Sequence, residues 1–488
     1  MTDQNMLQAL LRKDLVAFIE KVFSSPHPGT TYVGNWHIEA MAHVLEACLQ
    51  GDIQRLVITL PPRSLKSTST SVAFPAWLLG HDPSRHIIGI SYAQDLAEKH
   101  SMDCRRIIEE PWYQKTFPTT RVSPVKNTAP EFVTTRHGGR LATSVGGSLT
   151  GRGADFIIID DFHKADEGLS IAKRTTALEW YNSTVPSRLN DKKKGVIIVV
   201  QQRLHEEDLA GVLLAHGGWT HLNLPAIAEE SSQICIGNNQ HYSRKEGDLL
   251  HPEREPQEVL DELKSTIGSI AFAAQYQQRP TPMEGGIIKW PWFKGFDGDL
   301  HKQPGDSIVQ SWDIACTVSS TASYSVCTTW LAKPSGCYLI AVYREQLEYP
   351  ALKHAVEKLN TDWNPDLIVI EQTPGSLPLI QSLRAEGHSQ VKGLTPQADK
   401  ITRMICETPL LESGKVFLRM GDPYLKELKH ELVNFPAGKH DDQVDSISQF
   451  LYWYRVHSHL QYPQQATLKV TVTYLDPMPD LDLSSLYY

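Results

Sequence analysis

Residues 55–68 have the sequence RLVITLPPRSLKST, in which an apolar, β-branched run is followed by a Pro- and Ser-rich turn and a Lys-Ser pair. The run predicts a buried strand, and the segment after the turn has a helical pattern. Three further apolar runs alternate with helical stretches: HIIGISY (86–92), FIIID (156–160) and GVIIVVQ (195–201). Buried strands separated by helices indicate a parallel sheet that is covered on both faces.

The composition is that of an ordinary globular protein. The chain has 488 residues, 41% hydrophobic and 21% charged, and its length predicts two or three domains. No apolar run approaches the roughly 20 residues that a bilayer crossing needs, and residues 1–23 predict an amphipathic helix instead of a signal peptide. We therefore expect a cytosolic protein that does not associate with a membrane. The net charge of −9 means that DNA contact would need a local basic surface. The seven cysteines include no CxxC pair, which favours reduced thiols over disulfides or a zinc site.

The turn after the first predicted strand has the position of a P-loop. Backbone N–H groups and the N-terminus of the next helix would hold phosphates. Lys66 would reach the β- and γ-phosphates of ATP, and the Ser67 hydroxyl would bind Mg²⁺. Leu65 stands where the standard pattern has glycine. The alternative interpretation is a basic turn that caps a helix.

Two acids follow the strand FIIID and form a Walker B pattern. Asp160 lies 94 residues after Lys66 and would hold Mg²⁺ through water. Asp161 would orient or deprotonate the attacking water, and it is one methylene shorter than the glutamate common at this position. An ordinary strand end with an acidic helix cap is the alternative. The two motifs in this order predict a P-loop ATPase with a mostly parallel sheet.

Three weaker signals accompany these motifs. Arg152, in a glycine-rich loop, would face a neighbouring subunit's γ-phosphate as an arginine finger, or it is a solvated residue of a turn. Gln202 follows the strand GVIIVVQ and would sense the γ-phosphate, or it caps the next helix. Trp36, in the segment GNWH (34–37), would stack on adenine, or it belongs to the core.

The pattern changes after RPTPMEGG (279–286), whose prolines and glycines predict a linker. Three closely spaced apolar runs then predict an antiparallel meander, and LIVIE (367–371) predicts another strand. We predict an ATPase domain over 1–278 with a helical lead-in over 1–50, a second α/β domain over 287–460, and a tail over 461–488.

Acidic residues mark the ends of elements in the second domain. Asp313 ends the first strand of the meander and Glu371 ends LIVIE, while Asp441, Asp442 and Asp445 lie at the start of a predicted helix. Converging carboxylates repel each other unless cations neutralise them, and two Mg²⁺ or Mn²⁺ ions about 4 Å apart would do so and activate water. Taken singly, each acid is equally a routine helix cap or exposed strand end. The layout matches an RNase H-like α/β nuclease.

The ordered motifs together resemble the large terminase subunit of tailed bacteriophages or prophages. The resemblance spans roughly residues 30–455 and rests on a set of segments in a fixed order. These are LVITLPPRSLKST, SYAQDLAEKHSMDCRRI, LATSVGGSLTGRGADFIIIDDFHKAD, VIIVVQQRLHEEDLAG, FAAQYQQRPTPMEGGIIK, SWDIA, IVIEQTPGSLPLIQSLR and HDDQVDSISQFLYW. The family implies a packaging ATPase joined to an RNase H-fold endonuclease that cuts concatemeric double-stranded DNA and drives it into a procapsid.

Roles carry over by position. The ATP-binding residues would be Arg63, Ser64, Lys66, Ser67, Thr68, Asp160 and Gln202. The catalytic residues would be Asp161, Arg152, Asp313, Glu371 and Asp442, and the metal ligands Ser67, Asp160, Asp313, Glu371, Asp441 and Asp442. Of the Asp441–Asp442 pair, we favour Asp442 as the direct ligand. Ala322 and Ser323 stand where relatives often have an acid, a departure that would weaken one metal position.

The segment PQADKITRM (396–404) also resembles the family. Lys400 and Arg403 would contact the DNA backbone, or they lie on a solvated helix face. The resemblance further implies ATP and Mg²⁺ (or Mn²⁺ at the nuclease site) as cofactors, and a portal protein, a procapsid, a small terminase subunit and a homo-oligomeric ring as partners. The location would be the cytoplasm of a bacterial host.

Two other functions stay open at this point. One is a helicase-like DNA translocase with an inactive nuclease domain. The other is a prophage remnant without catalytic activity that binds portal or capsid.

Overall fold

The computed structural model describes residues 3–25, 29, 31–165, 167–280, 286–298, 300–315, 324–396, 398–438 and 440–457. Most of the predicted linker (281–285), the Ala322–Ser323 position and the predicted tail (461–488) lie outside these residues. None of the helices in the described ranges combines the length and apolarity that a bilayer crossing requires. No disulfide joins the described cysteines.

The first part of the chain forms one large sheet with helices on both faces. In chain order its elements are α1 (Asp3–Lys13), α2 (Leu15–Ser24), α3 (Trp36–Gln50), β1 (Arg55–Thr59), a π-helical turn (Thr68–Ala73), α4 (Phe74–His81), β2 (His86–Ser91), α5 (Gln94–Glu109), α6 (Pro111–Thr116), β3 (Val122–Asn127), β4 (Glu131–Thr134), β5 (Gly139–Ser144), β6 (Phe156–Asp160), α7 (Ile171–Thr184), a 3₁₀ turn (Val185–Arg188), β7 (Val196–Gln201), α8 (Leu209–His216), β8 (Thr220–Asn223), β9 (Ser232–Gly237), β10 (Gln240–Arg244) and α9 (Gln257–Gln275).

The strand order of this sheet is β3-β4-β5-β2-β6-β7-β1-β8. In sheet order, the six strands β5, β2, β6, β7, β1 and β8 pair in parallel, which confirms the predicted sheet. The strands β3 and β4 add an antiparallel edge that the sequence did not indicate. Since β6, β7 and β1 are neighbours, the loops at their carboxyl ends meet at one edge. The two apolar faces of the sheet pack under separate helical layers.

The single helix predicted over residues 1–23 is two helices. Asp14 interrupts them, and its Oδ1 accepts a hydrogen bond from the Ala17 backbone N–H at 3.0 Å. Asp14 is thus the N-cap of α2, an arrangement that aspartate favours because its side chain satisfies a backbone donor at the helix start.

The second part of the chain forms a seven-stranded mixed sheet. Its elements are a 3₁₀ turn (Trp290–Trp292), β11 (Lys294–Phe296), β12 (Ser307–Asp313), β13 (Ser325–Lys333), β14 (Gly336–Glu345), α10 (Tyr349–Trp363), β15 (Leu367–Glu371), α11 (Leu377–Ala385), β16 (Val391–Leu394), α12 (Lys400–Glu412), β17 (Val416–Arg419), α13 (Leu425–Asn434) and α14 (Asp442–His457). The order β11-β17-β14-β13-β12-β15-β16 contains the predicted antiparallel meander, with β15 parallel to β12.

The two parts of the chain touch through α9 and α12. Gly268 breaks the helical path of α9 with a φ of 83°, and a Cβ there would lie 3.0 Å from the Pro409 ring of α12. The helix resumes at Ser269, whose N–H and hydroxyl both donate to the Glu412 carboxylate at 3.0 and 2.8 Å. Glu412, the last residue of α12, therefore accepts the hydrogen bond of the Ser269 N–H, which the break in α9 leaves without a helical partner.

Candidate functional site

The first site lies where the chain turns from β1 into the π-helical turn. Arg63 and Leu65 have φ angles of 62° and 58°, in the left-handed region that favours glycine. Leu65, which stands where the standard P-loop pattern has glycine, therefore has the backbone conformation that glycine favours. The turn then closes through two hydrogen bonds, from Ser69 N to the Leu65 carbonyl at 2.9 Å and from Thr70 Oγ1 to the Lys66 carbonyl at 2.7 Å.

This loop brings Lys66 against the acids that follow β6. The Lys66 ammonium lies 2.7 Å from Asp161 Oδ2. Asp160 is buried, and neither of its carboxylate oxygens has a hydrogen-bond partner among the described residues. Burial raises the pKa of both carboxyls, and Lys66 opposes the rise. A buried carboxylate with unsatisfied oxygens next to Ser67 fits a Mg²⁺ ion, which prefers oxygen ligands.

A cavity of about 930 Å³ opens beside this pair. Its lining includes five of the residues predicted to bind ATP, together with the predicted catalytic Asp161: Arg63, Lys66, Ser67, Thr68 and Gln202. Ser64 and Asp160 are buried and do not line the cavity. Sequence reasoning missed Tyr32, His251 and Arg254, which also line the cavity. They come from loops remote in sequence that carry no motif, so nothing local indicated them.

Trp36 does not line the cavity, so the prediction that it stacks on adenine is wrong. Its ring is buried and stacks on Tyr242 with centroids 4.4 Å apart, and the Arg244 guanidinium lies 5.5 Å from its centroid. Trp36 is a core residue, which is the alternative stated above. The next residue, His37, does line the cavity, and burial lowers its pKa to about 4.

Arg152 lies at the opposite edge of the same sheet. It precedes β6, whereas Asp160 ends that strand, and its guanidinium pairs with both oxygens of Glu131 at 3.0 and 3.2 Å. Arg152 therefore does not reach the cavity of its own chain. Its role as an arginine finger toward a neighbouring subunit stays a prediction.

The second site forms where β12 and β15 end side by side. Their parallel register pairs Trp312 with Ile370, so Asp313 and Glu371 leave the sheet at the same edge. The first turn of α14 supplies Asp442 and Asp445, both buried, and Tyr324 N donates to Asp442 Oδ2 at 3.3 Å.

A buried polar network fixes α14 against β12. Ser311 Oγ donates to the Ser446 carbonyl at 2.7 Å, and Ser446 Oγ donates back to the Ser311 carbonyl at 2.8 Å. Thr328 Oγ1 and Gln449 Nε2 complete the network, at 2.7 Å from Ser446 Oγ and 2.9 Å from Ser311 Oγ. These reciprocal bonds determine how far the acids of α14 stand from Asp313.

Lys400 and Arg403 project from α12 into the same group of acids. The Lys400 ammonium pairs with Asp445 and, at 3.0 Å, with Asp441 Oδ1. The Arg403 guanidinium joins Glu371 Oε2 at 2.8 Å to Asp445 Oδ1 at 3.0 Å. The alternative of a solvated helix face is wrong for Arg403, whose side chain is 16% exposed, whereas Lys400 is both half-exposed and paired with the acids. Contact of either with DNA stays a prediction.

Repulsion and burial act together on this site. Burial raises the pKa of Asp313 well above its usual range, with Asp445 the strongest neighbouring charge. Burial likewise raises the pKa of Asp445 to about 6, although Lys400 and Arg403 oppose it. Five carboxyls thus share two directly paired cations, so the site has an excess of negative charge that suits divalent cations with oxygen ligands.

One comparison with known proteins bears on this domain. Residues 310–452 match the family model described as the terminase RNase H-like domain. These residues form a terminase RNase H-like domain. The matched range contains every acid of the second site together with Lys400 and Arg403. The sequence matches none of the curated proteins with which it was compared.

Several solved structures also resemble the chain. The large terminase of a thermophilic bacteriophage, in complex with ADP, is 12% identical, with a TM-score of 0.47 over 83% of this chain and 97% of that one. The HK97 bacteriophage large terminase is 10% identical, with a TM-score of 0.36 over 91% and 99%. The large terminase nuclease of the thermophilic phage G20c with bound magnesium is 15% identical, with a TM-score of 0.28 over 35% and 98%. With TM-scores below 0.5, these likenesses add no weight to the family match.

Within the terminase RNase H-like domain, the structure places every predicted acid at one site. Asp445, whose part the sequence left open, is more enclosed than Asp441, since their side chains are 3% and 38% exposed. Helical spacing places residue 445 on the same face as residue 442, but also as residue 441, so it does not show which of the two is more enclosed.

Proposed function

We propose that this chain is the large subunit of a viral DNA-packaging terminase. In this proposal the first domain hydrolyses ATP to move double-stranded DNA into a procapsid, and the second cuts concatemeric DNA with a divalent metal. The observation that carries the proposal is the convergence of Asp313, Glu371, Asp442 and Asp445 at one sheet edge in the family-matched domain.

The ATP site would work through the pair that the structure shows. The phosphates of bound ATP would compete with Asp161 for the Lys66 ammonium and so free that carboxylate to accept a proton from water. Ser67 and Asp160 would hold Mg²⁺, which supplies positive charge to the phosphates. Gln202, on the cavity wall, would sense the γ-phosphate.

The carboxylate site would hold Mg²⁺ or Mn²⁺ on Asp313, Glu371, Asp442 and Asp445. Metal bound there supplies charge to the scissile phosphate and acidifies a bound water. The protein fixes the acids on two strand ends and one helix, so they need little rearrangement. Asp441, more exposed and paired with Lys400, would be an outer ligand.

The wider setting follows from the same proposal. Terminase large subunits as a class work with a portal protein, a procapsid and a small subunit, and a homo-oligomeric ring in the host cytoplasm would let Arg152 reach the ATP of a neighbour. Arg152 is suited to this because its side chain is 44% exposed.

Plasmid cleavage by the purified full-length chain in Mn²⁺ tests the nuclease. Asp313→Asn should lower cleavage at least about 1,000-fold, because an amide neither ligates nor neutralises a cation as a carboxylate does. ATP turnover of this variant should stay within about twofold of the native rate. Cleavage by neither protein, with ATP still hydrolysed, would favour a translocase with an inactive nuclease.

The reciprocal variant tests the ATPase. Lys66→Ala should abolish ATP turnover, since it removes the ammonium that reaches the phosphates, and should leave Mn²⁺-dependent cleavage unchanged. Lys99→Ala, on the rim of the same cavity, is the matched control and should keep most of the turnover. Native turnover by Lys66→Ala would show that the P-loop assignment is wrong, and the absence of both activities in the native chain would favour a remnant without catalysis.

A further inference from the structure

Two side chains of α12 neutralise the carboxylate site in different ways. Lys400 presents one ammonium to Asp445 and Asp441, both near the start of α14. Arg403 bridges acids from two separate elements, Glu371 at the end of β15 and Asp445 on α14. The Lys400 side chain is 46% exposed, whereas that of Arg403 is 16% exposed.

The position of Lys400 makes its contact easy to release. It is the first residue of α12, where the partial positive charge of the helix terminus disfavours a cation. Its stem is flexible, its side chain is half-exposed, and its ammonium gains water when it leaves the acids. Asp445 needs some cation nearby, because a buried carboxylate is costly to ionise alone.

The position of Arg403 makes its contact rigid. Its planar fork holds one carboxylate on each of two nitrogens, a geometry that lysine cannot reproduce. Both ends of α12 are anchored. The Asp399 side chain caps the first turn by accepting from Thr402 N at 3.0 Å, and Glu412 binds Ser269 of the first domain.

We infer that Lys400 is a tethered cation that a divalent metal displaces from Asp445, and that Arg403 is a positioning residue that stays in place and sets the spacing of Glu371 and Asp445. The inference rests on the proposed nuclease site and goes beyond it, because it assigns separate parts to two residues that are not metal ligands. Without metal, Lys400 offsets part of the negative charge of the acids. Its withdrawal makes room for an ion of higher charge.

Calorimetric titration of the full-length chain with Mn²⁺, without DNA, measures the displacement directly. Lys400→Met should bind Mn²⁺ about tenfold more tightly, because the metal no longer competes with a tethered positive charge. Lys392→Met is the matched control, since it removes the same charge from an exposed position on β16, next to the strand of Glu371, and should change the affinity less than about twofold. Lys400→Gln, which keeps a polar group, replaces the methionine variant if that one fails to fold.

Arg403→Lys measures positioning separately from charge. It preserves the positive charge but loses the two-pronged bridge, so Mn²⁺ affinity should fall about tenfold.

Thermal unfolding gives a second readout that needs no activity. Lys400→Met should melt below the native chain without metal, since Asp445 loses its ammonium, and saturating Mn²⁺ should remove that difference.

Each outcome bears on a different statement. Unchanged or weaker Mn²⁺ binding by Lys400→Met overturns the displacement, and if that variant loses only affinity for DNA, Lys400 is a phosphate contact instead. Native Mn²⁺ affinity in Arg403→Lys overturns the positioning role. Asp313→Asn separates these results from the proposed function: if it binds Mn²⁺ as the native chain does, the carboxylate site itself is not a metal site.

Discussion

The two sites of this chain each pair a lysine with an enclosed aspartate, but they are held together by different forces. At the proposed ATP site, Lys66 lies in the turn between β1 and the π-helical segment and meets Asp161, which follows β6, and the backbone of that turn has left-handed angles at Arg63 and Leu65. At the carboxylate site, Lys400 of α12 meets Asp445 of α14. No residue of that second pair, nor Asp313, has a left-handed backbone.

Both pairs join distant parts of the chain, and the difference lies in what is strained at each. The loop of Lys66 stores backbone strain of roughly 1–2 kcal/mol for each left-handed residue that is not glycine, and the surrounding sheet holds it. The carboxylate site stores electrostatic repulsion instead, and buried hydrogen bonds between α14 and β12 hold it. A substitution should therefore damage one site through backbone shape and the other through packing.

The largest effect should come from breaking the polar network behind the acids. Ser446→Val removes the hydroxyl that bonds to the Ser311 carbonyl and the Thr328 hydroxyl, and it adds volume at a fully buried position. We expect the RNase H-like domain to lose about 3 kcal/mol of unfolding free energy, with weaker Mn²⁺ binding and unchanged ATP affinity. Differential scanning calorimetry and nucleotide titration measure the two parts.

The control for that variant is Thr361→Val on the exposed face of α10, which should cost less than about 0.5 kcal/mol. If Ser446→Val is as mild as the control, the network does not hold the two elements together. Loss of ATP affinity in Ser446→Val would show that the two sites do not depend on separate forces.

A smaller effect should follow at the contact between the two parts of the chain. Glu412→Ala removes the acceptor of the Ser269 N–H and hydroxyl, so the broken helix α9 should open locally at a cost of about 1 kcal/mol. Hydrogen exchange at the Ser269 amide should accelerate about fivefold. Glu262→Ala, exposed on the same helix, is the control and should leave that exchange rate unchanged, and equal rates in both variants would contradict the capping role of Glu412.

The smallest effect should come from relieving strain in the ATP loop. Arg63→Gly places glycine at a φ of 62°, which relieves the backbone strain of Arg63. Because this gain slightly exceeds the entropy cost of glycine, we expect the free energy of unfolding to rise by about 0.5 kcal/mol. Lys192→Gly, exposed and without a positive φ, should instead lose about that amount. Urea unfolding compares them, and equal destabilisation of both would mean that the loop is not strained. Nucleotide affinity should fall in Arg63→Gly, since the side chain lines the cavity.

Much of the fold was predictable because its signals are local. The strands β1, β6 and β7 are continuous apolar runs, and the meander β12–β14 has the turn spacing of consecutive strands. The antiparallel edge of β3 and β4 was not predicted, because the sequence of these strands has no apolar periodicity and much of β3 is exposed. Trp36 was ambiguous for a related reason, since only its stacking on Tyr242 decides that it is core.

The sequence by itself determined the strand–turn–helix order that creates the P-loop, and the placing of Asp313, Glu371 and Asp442 at element ends, because both depend on short-range pattern and chain order. Only the tertiary structure decided that Lys400 and Arg403 face the acids, that Asp445 lies deeper than Asp441, and that Tyr32 and His251 border the cavity beside Lys66. These facts depend on how α12, α14 and distant loops pack against the sheets. Packing is set by buried contacts between residues far apart in the chain, and no single segment contains that information.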